Sequence, residues 1–513
     1  MAEKNKMIDG KENAKEETSD LNTKGPELVQ MIGDRLTSLI DQNHPGKSVI
    51  INGISGSQKS LAAASLLAKY NTAVIVVPTQ KDIFRWEENL KFFVPDARIF
   101  SFPVVEEAGF EGTFSSTERL RERMRSLSAM INGEKSIIIA AAVEAAQKIS
   151  APSSIKDHLY KFELGSEIER REVLEVLQDL GYERVDQVER SGHFSVRGDI
   201  VDIYPINEIH PVRIEFFGDE IDSIRLFDVD SQRSIETLES QSVFPVAVKG
   251  SKNSSVLSYL DHGIVFYDEP QRGEESLKQF FKEEKANAGK AFLWSELIHT
   301  ARKQTNQEIV FSLLKRELEE FKPSVYHNWN GQEMTNYQRQ IPIFTADLKS
   351  LLNKNWKTAI VIPRASEKRE IEGILTDQQI PMSLDIEEGK VVLLDGVLTE
   401  GFELSDFNLA LITAGDILGR QKLRKYSTSG SRKQIRYFSD LNPGDYVVQQ
   451  VHGIGRYLGI RTIELSGVHR DYITIQYAGS DKLYLPVDQI GTLEKYIGPE
   501  GETPRLHLSL IHI

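Results

Sequence analysis

The chain has 513 residues, 40% hydrophobic and 27% charged, a composition typical of globular protein. This length predicts roughly three to five domains with substantial cores. The absence of cysteine excludes disulfides and cysteine-ligated metal sites and favours a cytoplasmic location. The net charge of −14 argues against broad nonspecific DNA binding and favours a protein partner. No apolar run is long enough to span a membrane, and the polar residues 1–24 are predicted to be a disordered tail.

Residues 48–68 have the pattern of a nucleotide-binding loop with one position altered. A buried strand, a tight loop and a helix follow one another, as in the signature G-x-x-x-x-G-K-[ST] that cradles phosphates. The residues retained from such a loop are Gly53, Gly56, Lys59 and Ser60. Gln58 stands where the second glycine is required, and its side chain is expected to crowd the β-phosphate position. The loop is therefore predicted to be a degenerate nucleotide site.

A partner for this loop lies about 200 residues downstream, where Asp268 and Glu269 end the apolar run 263–267. They have the form of a magnesium-binding acidic pair at the end of a neighbouring strand. A domain inserted between two halves of one sheet explains the separation. Pro270 and Gln58 both indicate that nucleotide binding has been lost, and a retained structural strand, turn and helix is the preferred interpretation.

The segments around the loop alternate between apolar runs and helical patterns, which predicts a doubly wound parallel sheet. Residues 25–154 are interpreted as the first part of this lobe. From about 155 to 235 the pattern changes to alternating apolar and polar residues with one amphipathic helix, which predicts an inserted α+β domain. Residues 236–345 are interpreted as the second part of the lobe, with a long charged helix at 305–321.

The last part of the chain is predicted to hold two further domains. Residues 350–419 read as another α/β unit, and the basic, serine-rich residues 420–440 as a linker. Residues 441–507 contain short strands separated by glycine turns, which predicts a small, strongly curved β-barrel.

Three groups of residues resemble known domains. FSVRGDIVDIYP with VRIEFFGDEIDSIRLFDVDSQRS resembles the insertion domain shared by the repair protein UvrB and the bacterial transcription-repair coupling factors (the Mfd family). GVLTEGFELSDFNLALITAGDILG resembles the third domain of those factors. PGDYVVQQVHGIGRYLGI with KLYLPVDQI resembles their RNA polymerase-interacting domain, which is similar to CarD. The resemblance covers residues 25–507 in the order expected of the N-terminal portion of a coupling factor.

The resemblance implies a multidomain α/β protein: a UvrB-like, degenerate RecA-like parallel sheet with an inserted α+β domain, a further α/β domain, and a C-terminal Tudor-like or CarD-like barrel. It implies UvrA and the β subunit of RNA polymerase as partners. In the family, ATP, magnesium and most DNA binding belong to a C-terminal translocase motor. No second phosphate loop follows the barrel, so this chain is expected to be a fragment without cofactor, ending in a non-native tail at 508–513.

The resemblance also implies contact residues for UvrA in the inserted domain. Arg184 and Arg197 match arginines of the UvrB surface that contacts UvrA, and Phe194 is expected to supply an exposed aromatic anchor beside Arg197. Ser195 stands where UvrB carries another arginine. The alternative is that these are solvated strand residues, with Arg197 paired internally to an aspartate, either 199 or 202.

In the predicted barrel, Arg461 and Ile463 belong to a segment that resembles the edge which the family presents to polymerase. An exposed edge strand can pair with a strand of a partner. Period-two alternation places both side chains on one face. The alternative is that Ile463 belongs to the barrel core.

Two other functions remain open at the level of sequence. One is a UvrB-like excision-repair helicase, which requires ATP binding at Lys59. The other is a stand-alone CarD-like transcription regulator, which requires polymerase binding without UvrA. The adaptor portion of a coupling factor is the preferred interpretation.

Overall fold

The computed structural model describes residues 24–41, 48–67, 69–103, 114–246, 252–283, 289–315, 317–322, 324–419, 444–449, 453–465, 468–478, 482–486 and 493–495. The predictions for the tail before residue 24, the linker at 420–440 and residues 508–513 lie outside these ranges. Within them, no helix is long and apolar enough to cross a membrane. The chain divides into two compact units, residues 1–421 and 422–513.

The helices are α1 (Gly25–Asp41), α2 (Gly56–Leu67), α3 (Gln80–Phe93), α4 (Phe114–Ile131), α5 (Ala142–Ala146), α6 (Pro152–Lys156), α7 (Arg170–Asp179), α8 (Pro270–Glu283), α9 (Trp294–Arg302), α10 (Ile341–Asn353), α11 (Ala365–Asp377) and α12 (Ala414–Leu418). The first fifteen strands are β1 (Ser48–Asn52), β2 (Thr72–Val77), β3 (Arg98–Phe102), β4 (Ser136–Ala141), β5 (Tyr160–Glu163), β6 (Glu183–Arg184), β7 (His193–Arg197), β8 (Ile200–Ile203), β9 (Val212–Phe217), β10 (Glu220–Phe227), β11 (Ser234–Thr237), β12 (Ser240–Val243), β13 (Gly263–Asp268), β14 (Thr305–Ser312) and β15 (Ser324–Asn328). The later strands are β16 (Gly331–Glu333), β17 (Lys357–Ile362), β18 (Met382–Ser383), β19 (Val391–Asp395), β20 (Phe402–Leu404), β21 (Leu409–Thr413), β22 (Tyr446–Gln449), β23 (Gly453–Leu465), β24 (Val468–Gln476), β25 (Lys482–Pro486) and β26 (Leu493–Lys495).

The largest sheet has seven parallel strands in the order β15-β1-β14-β13-β2-β4-β3. Strands β1, β2, β4 and β13 are buried along their whole length, as expected when helices cover both faces. β13 lies between β2 and β14, so it completes the same sheet as the loop-bearing strand β1. The chain between β4 and β13 therefore leaves this sheet and returns to it.

The predicted long helix at 305–321 is wrong. Thr305–Ser312 forms strand β14, and a short 3₁₀ turn follows at Glu319–Phe321. Residues 309–311 are fully buried between β1 and β13, where β-branched and aromatic side chains pack well. The charged Glu308 is buried as well, because it accepts hydrogen bonds from two neighbouring side chains. Tertiary packing therefore overrides the helical pattern of the charged residues.

The returning segment between β4 and β13 contains a second sheet, with the order β11-β10-β9-β8-β7-β6. Its strands are antiparallel except for the parallel pair of β6 and β7. Helix α7 packs on one face through Val173 and Leu177, which share a core with Val201 and Ile214. Strands β5 and β12 form a separate antiparallel pair. The other face of the six-stranded sheet remains available to solvent along much of β9, whose burial alternates.

A third, mixed sheet has the order β16-β20-β21-β17-β19-β18. One hydrophobic cluster contains residues of both this sheet and the parallel sheet, including Val49 and Phe266 on one side and Leu394 and Leu411 on the other. The two α/β sheets therefore share a core. The segment from β15 to β16 passes from the parallel sheet to the mixed sheet at residues 328–331.

The second unit contains a five-stranded antiparallel sheet with the order β25-β24-β23-β22-β26. Its core consists of residues from four strands and the turn after β24, among them Val447, Tyr457, Ile473 and Leu485. Among the described strands, no pairing joins β25 to β26. The predicted all-β character is confirmed, whereas the predicted barrel is not: the described residues show a small antiparallel sheet.

Candidate functional site

The degenerate loop at the end of β1 retains the backbone shape of a tight glycine loop. Gly53 has φ +79° and Gly56 has φ +52°, a region that residues with a Cβ rarely adopt. A cleft of about 400 Å³ opens beside it. The carboxylates lining the cleft are Asp82, Asp268, Glu269, Glu333 and Glu400, and the cations are Lys59, Arg85 and Arg272. Negative groups therefore outnumber positive ones, which disfavours a polyanionic ligand.

Lys59 is bound by the acidic pair that the sequence associated with it. Its Nζ lies 2.6 Å from Oδ1 of Asp268 and 2.9 Å from Oε1 of Glu269. Only 8% of Lys59 is exposed. Burial alone lowers the pKa of this ammonium group, but attraction by Asp268 and Glu269 outweighs burial and raises the pKa above the ordinary lysine value. Lys59 is therefore a charged, internally paired group.

Further hydrogen bonds fix the two carboxylates. Trp86 donates from Nε1 to Oδ2 of Asp268 at 2.9 Å, and the backbone N–H of Leu313 donates to Oε1 of Glu269 at 2.8 Å. Glu269 itself adopts φ +45°, which is costly for a residue with a Cβ. The surrounding structure thus holds the acidic pair in place as the partner of Lys59.

Gln58 does not line the cleft, contrary to the expectation that its side chain crowds a phosphate position. Its Oε1 accepts a hydrogen bond from Nε1 of Trp329 at 2.7 Å, and its side chain is buried. A Cβ at Gly331 would clash with that same oxygen. Through this hydrogen bond, the side chain of Gln58 links α2 to the segment that runs from the parallel sheet to the mixed sheet.

A loop of the mixed-sheet region closes over the glycine loop. The carbonyl of Glu400 accepts from Oγ of Ser57 at 2.7 Å, and its N–H donates back to that hydroxyl at 3.1 Å. A Cβ at Gly56 would clash with the Glu400 carboxylate. The neighbouring N–H of Thr399 donates to Oδ1 of Asn89 at 2.9 Å. A carboxylate therefore lies directly against the backbone that would have to approach a phosphate.

The structure brings together most of the predicted site and adds two residues that the sequence analysis missed. Lys59 meets the acidic pair across the sheet, and Ser60 is buried beside the cleft. Trp329 and Glu400 were not predicted because they lie 271 and 343 residues from their partners in the loop. No local motif marks such distant contacts.

The inserted domain places the two predicted contact arginines at the surface. Arg184 and Arg197 are both exposed. Arg197 donates from Nε and Nη2 to the carbonyl oxygen of Asp186, at 3.1 Å and 2.6 Å. Asp202, considered as an internal partner for Arg197, is instead held by two hydrogen bonds from Arg213 at 2.7 Å and 2.9 Å.

Phe194 is not the exposed aromatic that the sequence suggested. It is 0% exposed and belongs to the core between the sheet and α7. Its register partner on β8 is Ile203, which is also fully buried. The expected exposure is wrong because alternation along β7 turns Phe194 inward and leaves Arg197 on the outer face. Ser195 is buried too.

The two residues predicted to contact polymerase lie on β23. Arg461 is exposed and pairs in register with Tyr472 of β24, and Ile463 pairs with Arg470. The side chain of Ile463 lies outside what the structure describes, so both interpretations of this residue stay open. Strand β22 pairs with residues 453–456 only, whereas residues 461–465 pair with β24.

Two family models match parts of the chain. Residues 160–248 match the UvrB interaction domain, and residues 441–497 match the CarD-like/TRCF RID domain. The first match lies within the segment that leaves and rejoins the parallel sheet, and the second covers the antiparallel sheet of the second unit. The fold and these matches define an α/β protein in which one segment is similar to the UvrB interaction domain and another to the CarD-like/TRCF RID domain.

Curated proteins similar to this chain include transcription-repair-coupling factors. The chain is 28% identical to that of Bacillus subtilis over 92% of this chain and 47% of the relative. Identity is 27% to that of Staphylococcus epidermidis, covering 91% and 47%, and 27% to that of Staphylococcus aureus, covering 90% and 46%. These matches confirm the predicted resemblance to the N-terminal portion of a coupling factor. The chain spans about half the length of the curated relatives it matches.

Proposed function

We propose that this chain is the adaptor portion of a transcription-repair coupling factor, which binds stalled RNA polymerase and recruits UvrA in the bacterial cytoplasm. The observation that carries the proposal is the presence, in one chain, of a UvrB interaction domain and a CarD-like/TRCF RID domain. A stand-alone CarD-like regulator does not require the UvrB interaction domain. A UvrB-like helicase does not require the CarD-like/TRCF RID domain.

UvrA is proposed to bind the outer face of the six-stranded sheet in the inserted domain. Arg197 supplies an exposed guanidinium group on that face, and Arg184 supplies another on the adjoining edge strand β6, where it pairs in register with the inward-facing Phe194. Such groups form bidentate hydrogen bonds with carboxylates. The carbonyl oxygen of Asp186 accepts two hydrogen bonds from Arg197 and fixes the position of its side chain. Because a carbonyl carries no net charge, this contact does not neutralise the guanidinium group. An acidic surface on UvrA is the matching partner.

The β subunit of RNA polymerase is proposed to bind the free side of β23 at residues 461–465. In the described part of the second unit these residues pair on one side only, with β24. A partner strand added there gains main-chain hydrogen bonds, and Arg461 and Ile463 then supply specificity. Closure of this sheet into a Tudor-like barrel belongs to the same proposal.

The loop cleft is proposed to act without nucleotide. Lys59 is paired with two carboxylates, and the Glu400 carboxylate lies against Gly56. A bound triphosphate would have to displace Glu400 and compete with both carboxylates for Lys59. The cleft then serves as a joint between the two α/β sheets, and the residues present do not fit ATP with magnesium.

The test is binding of the full chain to purified UvrA and to RNA polymerase, each without ATP. Both complexes are expected. Arg184→Glu with Arg197→Glu should abolish UvrA binding and leave polymerase binding intact, whereas Ile463→Arg should do the reverse. Arg171→Glu is the matched control, since Arg171 is an exposed arginine on α7 of the same domain. Loss of both complexes in a single folded variant, or binding of neither by the unaltered chain, would refute the adaptor proposal.

A further inference from the structure

We propose that Phe217, not Phe194, is the aromatic anchor of the surface that carries Arg197. This inference rests on the proposed function of the inserted domain and names a residue that determines its partner contact. Phe217 ends β9 and is 81% exposed. A phenylalanine so exposed gains little in the isolated chain, because its ring buries almost no apolar area.

The strand register places Phe217 on the same face as Arg197. Arg197 pairs with Ile200, and Ile200 pairs with Glu215, so these three side chains share the outer face. Phe217 lies two residues beyond Glu215 and therefore points to that face as well. With strands about 4.8 Å apart and a rise of about 3.4 Å per residue, the backbones of Arg197 and Phe217 lie roughly 12 Å apart. Both fit within one interface patch.

The ring also lies at the end of the sheet where Arg197 is found. The hairpin that joins β7 to β8 follows Arg197 directly, and the N–H of Phe216 donates to the carbonyl of Asp199 in that hairpin at 2.8 Å. Phe217 is the next residue, opposite Glu220 across the turn of β9 and β10. A single partner surface can therefore cover both the arginine and the ring.

Several other charged groups on this face are already paired within the sheet. Arg225 forms an ion pair with Glu215, and the hydroxyl of Ser223 donates to the same carboxylate at 2.9 Å. Asp202 is held by Arg213. These pairs build a polar rim, and the ring of Phe217 supplies apolar area at its edge.

This arrangement predicts the chemistry of the partner surface. It should offer an apolar pocket for one phenyl ring and, within the same patch, carboxylates that receive Arg197. Aromatic side chains that fill such a pocket are common hot spots, because the ring is fully desolvated on binding. Hot spots of this kind commonly change affinity by a factor of at least about ten when truncated to alanine.

The experiment measures the affinity of the full chain for purified UvrA by calorimetry or biolayer interferometry. The variants are Phe217→Ala, Phe217→Tyr and the control Leu384→Ala. Leu384 is 82% exposed but lies in the mixed-sheet region, so its removal matches the loss of exposed apolar area without touching the inserted domain. Melting temperatures of all four proteins are compared, and no shift is expected because neither site is buried.

We expect Phe217→Ala to weaken UvrA binding at least tenfold, Phe217→Tyr to stay within about threefold, and Leu384→Ala to match the unaltered chain. Binding of polymerase should be the same in all four. If the unaltered chain binds UvrA and Phe217→Ala binds equally well, the anchor proposal is overturned while the adaptor proposal stands. If the folded, unaltered chain does not bind UvrA, the adaptor proposal itself fails and takes this inference with it.

Discussion

Replacement of Lys59 by Met distinguishes a structural ion-pair joint from a nucleotide site. Met keeps the unbranched shape of the side chain and removes the charge. In a working phosphate loop the change would abolish nucleotide binding and leave stability nearly unchanged. Here Asp268 and Glu269 would lose their counter-charge inside the cleft, so we expect the first unit to be destabilised.

The magnitude follows from the geometry. At an effective dielectric constant of about 20, the contacts of 2.6 Å and 2.9 Å each correspond to roughly 6 kcal/mol of attraction. Desolvation of the ions offsets most of this, and removing one partner of a buried pair costs about 3–5 kcal/mol. The value should fall at the lower end, because the side chain of Glu269 is 20% exposed.

Urea unfolding followed by tryptophan fluorescence is a suitable assay, since Trp86 donates a hydrogen bond to Asp268. With a slope of about 3 kcal/mol/M, the expected loss lowers the midpoint by about 1 M. Lys81→Ala is the control, because Lys81 is exposed and should cost less than about 0.5 kcal/mol. Adding Asp268→Asn and Glu269→Gln to Lys59→Met should restore part of the loss.

The pH dependence has a defined sign. Because the pKa of Lys59 is raised in the folded protein, the stabilisation from its charge is fully present below the ordinary lysine pKa of about 10.4. This stabilisation is lost as pH rises through the higher pKa that Lys59 has in the folded protein. The difference between Lys59→Met and the unaltered chain should therefore be constant near neutrality and shrink only above about pH 10.4.

Two results would refute this reasoning. One is a midpoint shift for Lys59→Met no larger than that of Lys81→Ala. The other is stabilisation of the unaltered chain by millimolar MgATP that Lys59→Met abolishes. Ligand at 100 times its dissociation constant stabilises by about 2.7 kcal/mol, so such binding would be plain in the same assay.

Three further changes test the packing around the site and in the inserted domain. Gly331→Ala should cost about 1–3 kcal/mol in the urea assay, because the new Cβ meets Oε1 of Gln58; an unchanged midpoint would contradict that contact. Burial raises the pKa of Glu208, so its stabilisation is present below the ordinary glutamate pKa of about 4.3 and is lost as pH rises through the folded value. Glu208→Gln should therefore raise the melting temperature more at pH 7 than at pH 4. Equal increases at the two pH values would contradict a raised pKa of Glu208. Tyr182→Phe should cost about 1–3 kcal/mol, because the buried hydroxyl donates to the carbonyl of Phe244; a neutral effect in thermal unfolding would show that this hydrogen bond is dispensable.

Local sequence patterns predict a large part of this fold. Apolar runs such as those of β1, β2, β4 and β13 predict buried parallel strands, because a strand covered on both faces has no polar side. The loop signature and the acidic pair identified Lys59 and its two partners, although 209 and 210 residues separate them, since the carboxyl ends of parallel strands meet at one edge. The matched motifs also led to the right class of protein.

The role of each of these groups depends on contacts between segments that are distant in the chain. β14 looked helical in sequence because charged residues follow it, yet its position between β1 and β13 makes it a central strand. Successive side chains along a strand point to opposite faces, so Phe194 lies in the core while Arg197 and Phe217 lie on the outer face. A shift of one residue in the register would exchange the two faces. Glu400 reaches the loop from a different sheet, and no local signal encodes a contact across 343 residues. Whether a phosphate loop binds a ligand or a neighbouring carboxylate depends on which groups the whole fold brings against it.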